Sequence, residues 1–346
     1  AHNALRAFFL ESVHEGLPAD ELAERILLDE GAGRAWTRFS DPRDRAEYIG
    51  RSMLGYRIGC ARCHNHPLDR WKQDEHLQFS AFFTDDRPNP EGGQMMSGRF
   101  FEPETGREVA PALLPVSAGD PPAGESRKAQ LAWLVLEAGR EQFARNIANR
   151  VFGELTGKAL VNATDDHRLS NPAIHEELLD LLAEKLIALE FDLRGLIQFI
   201  ATSDLYAMSS VENMDQPEAL AYFAARPSRR LTAQEFRAAV AFVTGIEAKQ
   251  ALPPESPLAE QLFVLNSGII QESLAASGNQ VDAIFDFSAG LEEQFEELFY
   301  LILSRPPSPA ERSAFLPEWR KTGDLRTRGR DLAFALLASR EFGSVR

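Results

Sequence analysis

The sequence predicts a mainly α-helical protein: two helical regions joined by a Pro/Gly-rich loop that carries one small β-hairpin. Three observations predict it. Apolar residues recur at helical spacing through most of the chain. Two capping boxes, Thr232 with Glu235 and Ser308 with Glu311, mark helix starts, the second with Pro309 at the first helical position. The helical period then lapses over residues 84–124, where Pro and Gly accumulate.

Taken in order, residues 4–13 and 20–29 form the first two helices. Residues 42–58 make a third, leading into a cysteine motif, and 73–83 a fourth, with Leu77, Phe79, Phe82 and Phe83 for a core. Within the Pro/Gly-rich stretch, residues 100–109 read as a short hairpin around Glu104-Thr105-Gly106. Beyond residue 125, helices are expected at 127–138, 141–156, 173–190, 193–204, 232–244, 291–304, 309–320 and 328–342. Ile174, Leu178, Leu181, Leu182, Leu186 and Leu189 form one apolar stripe. Segments 194–206 and 330–342 echo each other, each a helix ending in a polar turn followed by an aromatic; a remnant duplication and the ordinary recurrence of amphipathic helices both account for it. The expected division is a helical region over 1–90, a loop with hairpin over 91–124 and a second helical domain over 125–346.

A chain of 346 residues, 44% hydrophobic with 23 Phe, is long enough to bury a sizeable interior. Its net charge of −15 argues against nucleic-acid binding, which needs a basic surface. No apolar run approaches the length of a membrane span. The chain starts at Ala1 rather than Met, as a processed or truncated product would.

Both cysteines fall in one pentapeptide, Cys60-Ala61-Arg62-Cys63-His64, which spells CxxCH, the attachment pattern of c-type haem. On a helical turn, positions i, i+3 and i+4 share a face. Cys60 and Cys63 are then placed for thioethers to the two haem vinyl groups, and His64 for proximal axial ligation of the iron. Pro67 pushes His66 toward extended geometry, which stops the turn after His64. The expected cofactor is one covalent haem c, bound by Cys60, Cys63, His64 and His66. Other readings of the pair stay open. A redox dithiol normally sits in a βαβ setting, which the pattern lacks. Zinc has Cys60, Cys63 and His66 to use, with a fourth ligand from afar. A disulfide or free thiols complete the set.

His66 suits a hydrogen bond to a propionate or the backbone rather than the opposite haem face, and Asp69 and Arg70 are placed to orient that loop. For the distal iron position, Met95 and Met96 lie in a Gly-rich loop 31 and 32 residues after His64 and are the first candidates. Met53, His76, Met208, Met214 and His175 follow, with His76 also readable as a surface residue. A Met ligand favours electron transfer, while an open site permits ligand chemistry. Asp165 and Asp166 read as acid–base or calcium ligands, or more simply as capping and loop-fixing acids. The run HEELL at 175–179 departs from the HExxH zinc motif because position 179 is Leu179. Glu292, Glu293, Glu296 and Glu297 read as the solvated face of a helix. Arg320, Lys321, Arg326, Arg328 and Arg330 read as a docking patch for an acidic partner or as exposed helix ends.

Several blocks resemble one family in order along the chain. Residues 55–83, with Cys60, Cys63, His64, His66, Pro67, Asp69, Trp71, Ala81, Phe82 and Phe83, resemble the CxxCHxHPxDxW block of the planctomycete-type cytochrome c proteins and the Ala-Phe-Phe helix that follows it. Residues 105–111 resemble the hairpin after that block. Residues 143–183 resemble the start of the family's second conserved domain, through Asn149, Arg150, Val151, Asp165, Asp166, Asn171, Pro172, His175, Glu177, Leu178, Leu179 and Asp180. Residues 229–240 and 301–311 fit the same domain. The family comprises large secreted bacterial proteins of largely unknown function, usually with a longer portion before the haem block. With only about sixty residues there, this chain is expected to be a shortened member or a processed piece. The expected function is that of an exported monohaem electron-transfer protein, periplasmic or extracellular, with a redox partner protein and no nucleic acid. A haem enzyme with an open distal site acting on peroxide or an organic substrate is the alternative, and a binding module with zinc at CxxCHxH the third reading.

Overall fold

The computed structural model describes residues 2–28, 39–84, 99–112, 125–208, 223, 228–247, 268–287, 290–321 and 323–345. These are mainly helical, with two small two-stranded antiparallel sheets. The chain divides into two compact units, Ala1–Pro227 and Ser228–Arg346.

In the first unit, α1 (His2–Glu15) and α2 (Ala19–Leu27) precede α3 (Pro42–Met53). Asp41 caps α3 by accepting from Arg43 N at 2.9 Å, with Pro42 at the first helical position. This helix ends five residues earlier than the apolar period implies. Gly55 turns the backbone into the left-handed region at φ 71°, and Tyr56 N returns to Gly50 O at 2.9 Å. A 3₁₀ turn, Ile58–Arg62, follows in place of an α-helical one. Next come α4 (Gln73–Ser80), a 3₁₀ turn at Ala81–Phe83, and the expected hairpin of β1 (Phe100–Phe101) and β2 (Glu108–Val109), with Phe100 opposite Val109. After it, α5 (Arg127–Trp133) runs through a π turn, Leu134–Ala138, into α6 (Arg140–Thr156), and α7 (Glu176–Ala188), α8 (Leu193–Ala201) and α9 (Asp204–Ala207) complete the unit.

The expected divide at 91–124 lies inside this unit, because α3 and α6 are welded together. A helix end leaves its last carbonyls without intrahelical donors. Here α6 supplies those donors from one stripe at four-residue spacing. Gln142 Nε2 donates to Leu54 O at 2.7 Å, Asn146 Nδ2 to Ser52 O and Met53 O at 2.8 and 2.9 Å, and Arg150 to Arg51 O at 3.1 Å. Asn146 is wholly buried, so each unmade bond at this junction would cost about 1–3 kcal/mol. Around it, Phe79 meets Phe83 edge-on at 5.3 Å, and Phe143 packs on Phe191 at 5.5 Å, within one continuous core.

In the second unit, β3 (Arg229–Arg230) pairs antiparallel with β4 (Ser344–Val345) and encloses α10 (Ala233–Thr244), α11 (Gly268–Ala275), α12 (Gln280–Phe287), α13 (Leu291–Leu303), α14 (Pro309–Trp319) and α15 (Leu325–Leu337) in sequence. Phe236, Phe295, Phe299, Trp319 and Leu337 are buried together. Both capping boxes form reciprocally: Thr232 N donates to Glu235 at 2.7 Å and Ser308 N to Glu311 at 2.7 Å. Arg229 and Arg305 also bind these acids bidentately and hold each carboxyl down at about 2.

One reading is corrected here. The basic cluster near the end of the chain is not a free docking patch. Arg320 pairs with Glu292, Lys321 with Glu318, Arg326 with Asp286 and Arg330 with Asp282, so α12–α14 supply its counter-charges. The echo of 194–206 with 330–342 extends to the local structure. Ser203 accepts from Tyr206 N and Ser339 from Phe342 N, the same serine turn closing both segments.

Candidate functional site

The cysteine pair sits on the 3₁₀ turn. Cys60 lies within it and Cys63 is the first residue beyond, still near helical geometry at φ −113°, ψ −24°. In a 3₁₀ turn positions i and i+3 eclipse, so the tighter helix keeps the two thiols on one side, as an α-turn would. Both are free and exposed. His64 is exposed as well, and its Nδ1–H donates to Asn65 O at 2.7 Å. That bond fixes the tautomer and leaves the Nε2 lone pair outward, as for a metal-ligating imidazole. His66 folds the following loop instead. Its N donates to Trp71 O at 2.8 Å, and its Nδ1 accepts from Leu68 N at 3.2 Å.

A charged clamp holds this turn from beneath. Arg62, between the two cysteines, reaches α3 at three carboxylates: Asp44 at 2.6 Å, Asp41 at 2.9 Å and Glu47 at 3.3 Å. Burial opposes the ionised form of Asp41, but hydrogen bonds from Arg43 and the charges of Arg43 and Arg62 outweigh it and lower its pKa. Glu47 also accepts from His76 Nε2 at 3.1 Å. The His76 side chain is 0% exposed, which corrects its reading as a surface residue: α4 turns it inward onto the acidic face of α3.

Beside the loop lies a cleft that sequence patterning did not single out. Tyr56 packs on Trp71 at 5.0 Å, Arg70 lies over the same indole at 5.3 Å, and Arg145 and His167 complete the wall. Burial pushes the Tyr56 phenol up to about 12. His167 N donates to Gly55 O at 2.8 Å, and its ring Nε2 is buried with no partner. Burial, helped by the charges of Arg145 and Arg150, lowers its pKa to about 4.

An acid sensitivity follows. Below the unfolded histidine value of about 6.5, the unfolded chain takes up a proton that folded His167 refuses. Its contribution is therefore intact above pH 6.5 and is lost as pH falls toward 4. The full shift corresponds to about 3 kcal/mol, and partial exposure brings this to about 2. Urea midpoints taken at pH 7 and pH 4.5 should converge in His167→Gln relative to the parent; an unchanged difference would refute the assignment.

Other sequence candidates are scattered. Met95, Met96 and Met214 lie outside the described residues. Met53 is buried in the core of the first unit. His175 caps α7, its Nδ1 accepting from Leu178 N at 3.3 Å. Asp165 takes Arg57 at 3.0 Å, and Asp166 pairs with Arg168 at 3.1 Å, so both acids brace the loop that presents His167. Among the described residues, no three His, Cys, Asp or Glu side chains stand together as a metal site.

Residues 10–87 match the family model PSCyt2, a protein of unknown function (DUF1549), and residues 127–260 match PSD1, a protein of unknown function (DUF1553). Both are domains associated with the planctomycete-type cytochrome c proteins. The chain carries the two in this order. The PSCyt2 match contains α2 to α4 and the whole cysteine loop; the PSD1 match opens with α5 and α6, whose side chains close the carbonyl end of α3. No curated protein and no solved structure matches the chain significantly.

The donor set of the PSCyt2 loop suits a covalently held haem. Two free exposed thiols sit on one side of a turn, next to an imidazole whose Nδ1 is engaged and whose Nε2 is available. For zinc His66 is poorly set, since its Nδ1 accepts from Leu68 N and the ring proton therefore sits on Nε2.

Proposed function

We propose that the chain is an exported monohaem c-type protein that passes electrons to or from a partner oxidoreductase. The observation that carries this reading is the CxxCH turn, with both thiols exposed and the His64 tautomer set by Asn65. Cys60 and Cys63 would hold the group, and His64 Nε2 would ligate its iron. When bound, the haem supplies one-electron chemistry. The chain positions it: Arg62 ties the attachment turn to the three acids of α3, and His66 fixes the loop behind the ligand. Because thioether attachment takes place outside the cytoplasm, the reading implies a periplasmic or extracellular protein. No described helix is long and apolar enough to cross a membrane. The distal ligand is proposed to be Met95 or Met96, which distinguishes a six-coordinate carrier from a haem enzyme.

The test uses protein made with a haem-maturation system. Replacing His64 by Ala should change the visible spectrum and the potential strongly, whereas His66→Ala should be milder. Reduced parent protein should bind carbon monoxide slowly, and its oxidised form should show the near-infrared band of Met–iron ligation. Fast carbon monoxide binding would transfer the reading to the enzyme class, and equal damage from both histidine variants would refute the division of roles.

A further inference from the structure

Around the cysteine loop the exposed charges are of one sign. Among the Arg, Lys, Asp and Glu side chains of residues 55–73, those exposed are Arg57, Arg70 and Lys72. The one acid, Asp69, is partly covered and accepts from the backbone N of Arg70 at 2.9 Å. Arg57 is the N-cap of the attachment turn and binds Asp165 at 3.0 Å. Arg51, exposed on α3, reaches the same carboxylate at 3.6 Å. Arg150 of α6 donates to Arg51 O at 3.1 Å and lies close enough for its charge to act on Asp165 and Arg51. Burial lowers its pKa, and Arg51 adds to that against the opposing pull of Asp165. An arginine stays charged even so. Three guanidinium groups thus share one carboxylate, and the start of the turn carries surplus positive charge.

Past His66 the loop closes where His66 N donates to Trp71 O, and Lys72 stands next in the chain, exposed and with no ion-pair partner among the described residues. Leu68 is 57% exposed on the same loop. Arg70 adds little, because it bonds the Tyr56 phenol and shares its cleft with Glu137 and Glu141. The acids beneath the turn, Asp41, Asp44 and Glu47, are only partly exposed and are taken up by Arg43 and Arg62. In a chain of net charge −15 the surplus here is opposite in sign to the molecule as a whole. An acidic surface is repelled by the rest of the protein and attracted at this face, which selects an orientation as well as a rate of encounter.

We propose that Arg51, Arg57, Arg150 and Lys72, with Leu68 as apolar contact, form a docking face for an acidic surface of a partner protein, seating it beside the CxxCH turn. That this partner is the redox partner rests on the electron-transfer reading; the charge of the face does not.

The experiment uses the full chain without haem, whose two exposed thiols report the local potential. Their rates are measured with dithiobis(nitrobenzoate), a dianion, and with neutral dithiodipyridine. Raising salt from about 10 to about 150 mM shortens the Debye length from about 30 to about 8 Å. The dianion is expected to slow at least threefold, although the net charge of −15 predicts the reverse. An unchanged rate with the neutral reagent excludes a shift in thiolate fraction. Poly-L-glutamate should shield the thiols from the neutral reagent, and inorganic phosphate at matched ionic strength should not. Arg57→Gln and Lys72→Gln should each weaken the salt effect by about a third or more, and Arg320→Gln, which removes a guanidinium paired with Glu292, should leave it as it is. If circular dichroism shows that Arg57→Gln disturbs the turn, Lys72→Gln decides alone. Acceleration of the dianion by salt, no shielding by poly-L-glutamate, equal shielding by phosphate (the mark of a small oxyanion site) or equal effects of Lys72→Gln and Arg320→Gln would overturn the proposal. Haem content does not enter these rates, so failure here leaves the electron-transfer reading untouched, and failure of that reading leaves the docking face in place.

Discussion

Intact, denatured protein produced with a haem-maturation system is expected to carry the mass of one haem per chain, and Cys60→Ala/Cys63→Ala to carry none. Covalent attachment survives denaturation only through the thioethers, and these are the only cysteines in the chain. The effect is therefore all or nothing. Both thiols are already exposed and on one side of a turn that Arg62 anchors from below, so attachment needs no unfolding of α3 or α4. Each single cysteine variant should retain at most one thioether. Two free thiols in the natively produced parent would sink the electron-transfer reading at its root.

The second large effect concerns stability. Gly55→Ala is expected to cost the first unit about 3–4 kcal/mol, read as a fall in the urea midpoint. Two costs add. At φ 71° an L side chain is strained by about 1–2 kcal/mol. A Cβ built there would also lie 2.5 Å from His167 Cδ2 and 2.9 Å from Asn146 Oδ1, and forced overpacking costs about 1–3 kcal/mol. Neither neighbour is free to yield. Asn146 is tied to two carbonyls of α3, and His167 N is bonded to Gly55 O itself. A loss below about 1 kcal/mol would show that the junction of α3, α6 and the His167 loop is softer than its hydrogen bonds imply.

What the chain declares locally was readable in advance. The hairpin at 100–109, both capping boxes and most helices rest on spacings within a few residues, and each appears where expected. The short helices α11 and α12 and the β3–β4 pair escaped. Eight residues are about two turns, too few to establish a period, and a two-residue strand is defined only by a partner more than a hundred residues away. The end of α3 also escaped: apolar periodicity continues through residue 58, but Gly55 reverses the backbone before it can be used.

The sequence by itself determined the helical class, the placement of both cysteines next to a histidine, and an acidic balance that argues against nucleic-acid binding. Only the tertiary structure decided what those residues meet. Gln142, Asn146 and Arg150 look like any polar stripe of an amphipathic helix until α3 brings four unpaired carbonyls to them. The positions of His76 against Glu47 and of Arg140 over the Phe191 ring are likewise set by packing between distant segments. His167, inside a motif whose neighbours drew attention, gained its depressed pKa from burial beside Gly55, more than a hundred residues earlier. Periodicity reports which face of an element is apolar; desolvation and pairing depend on which faces meet, and no local spacing encodes that.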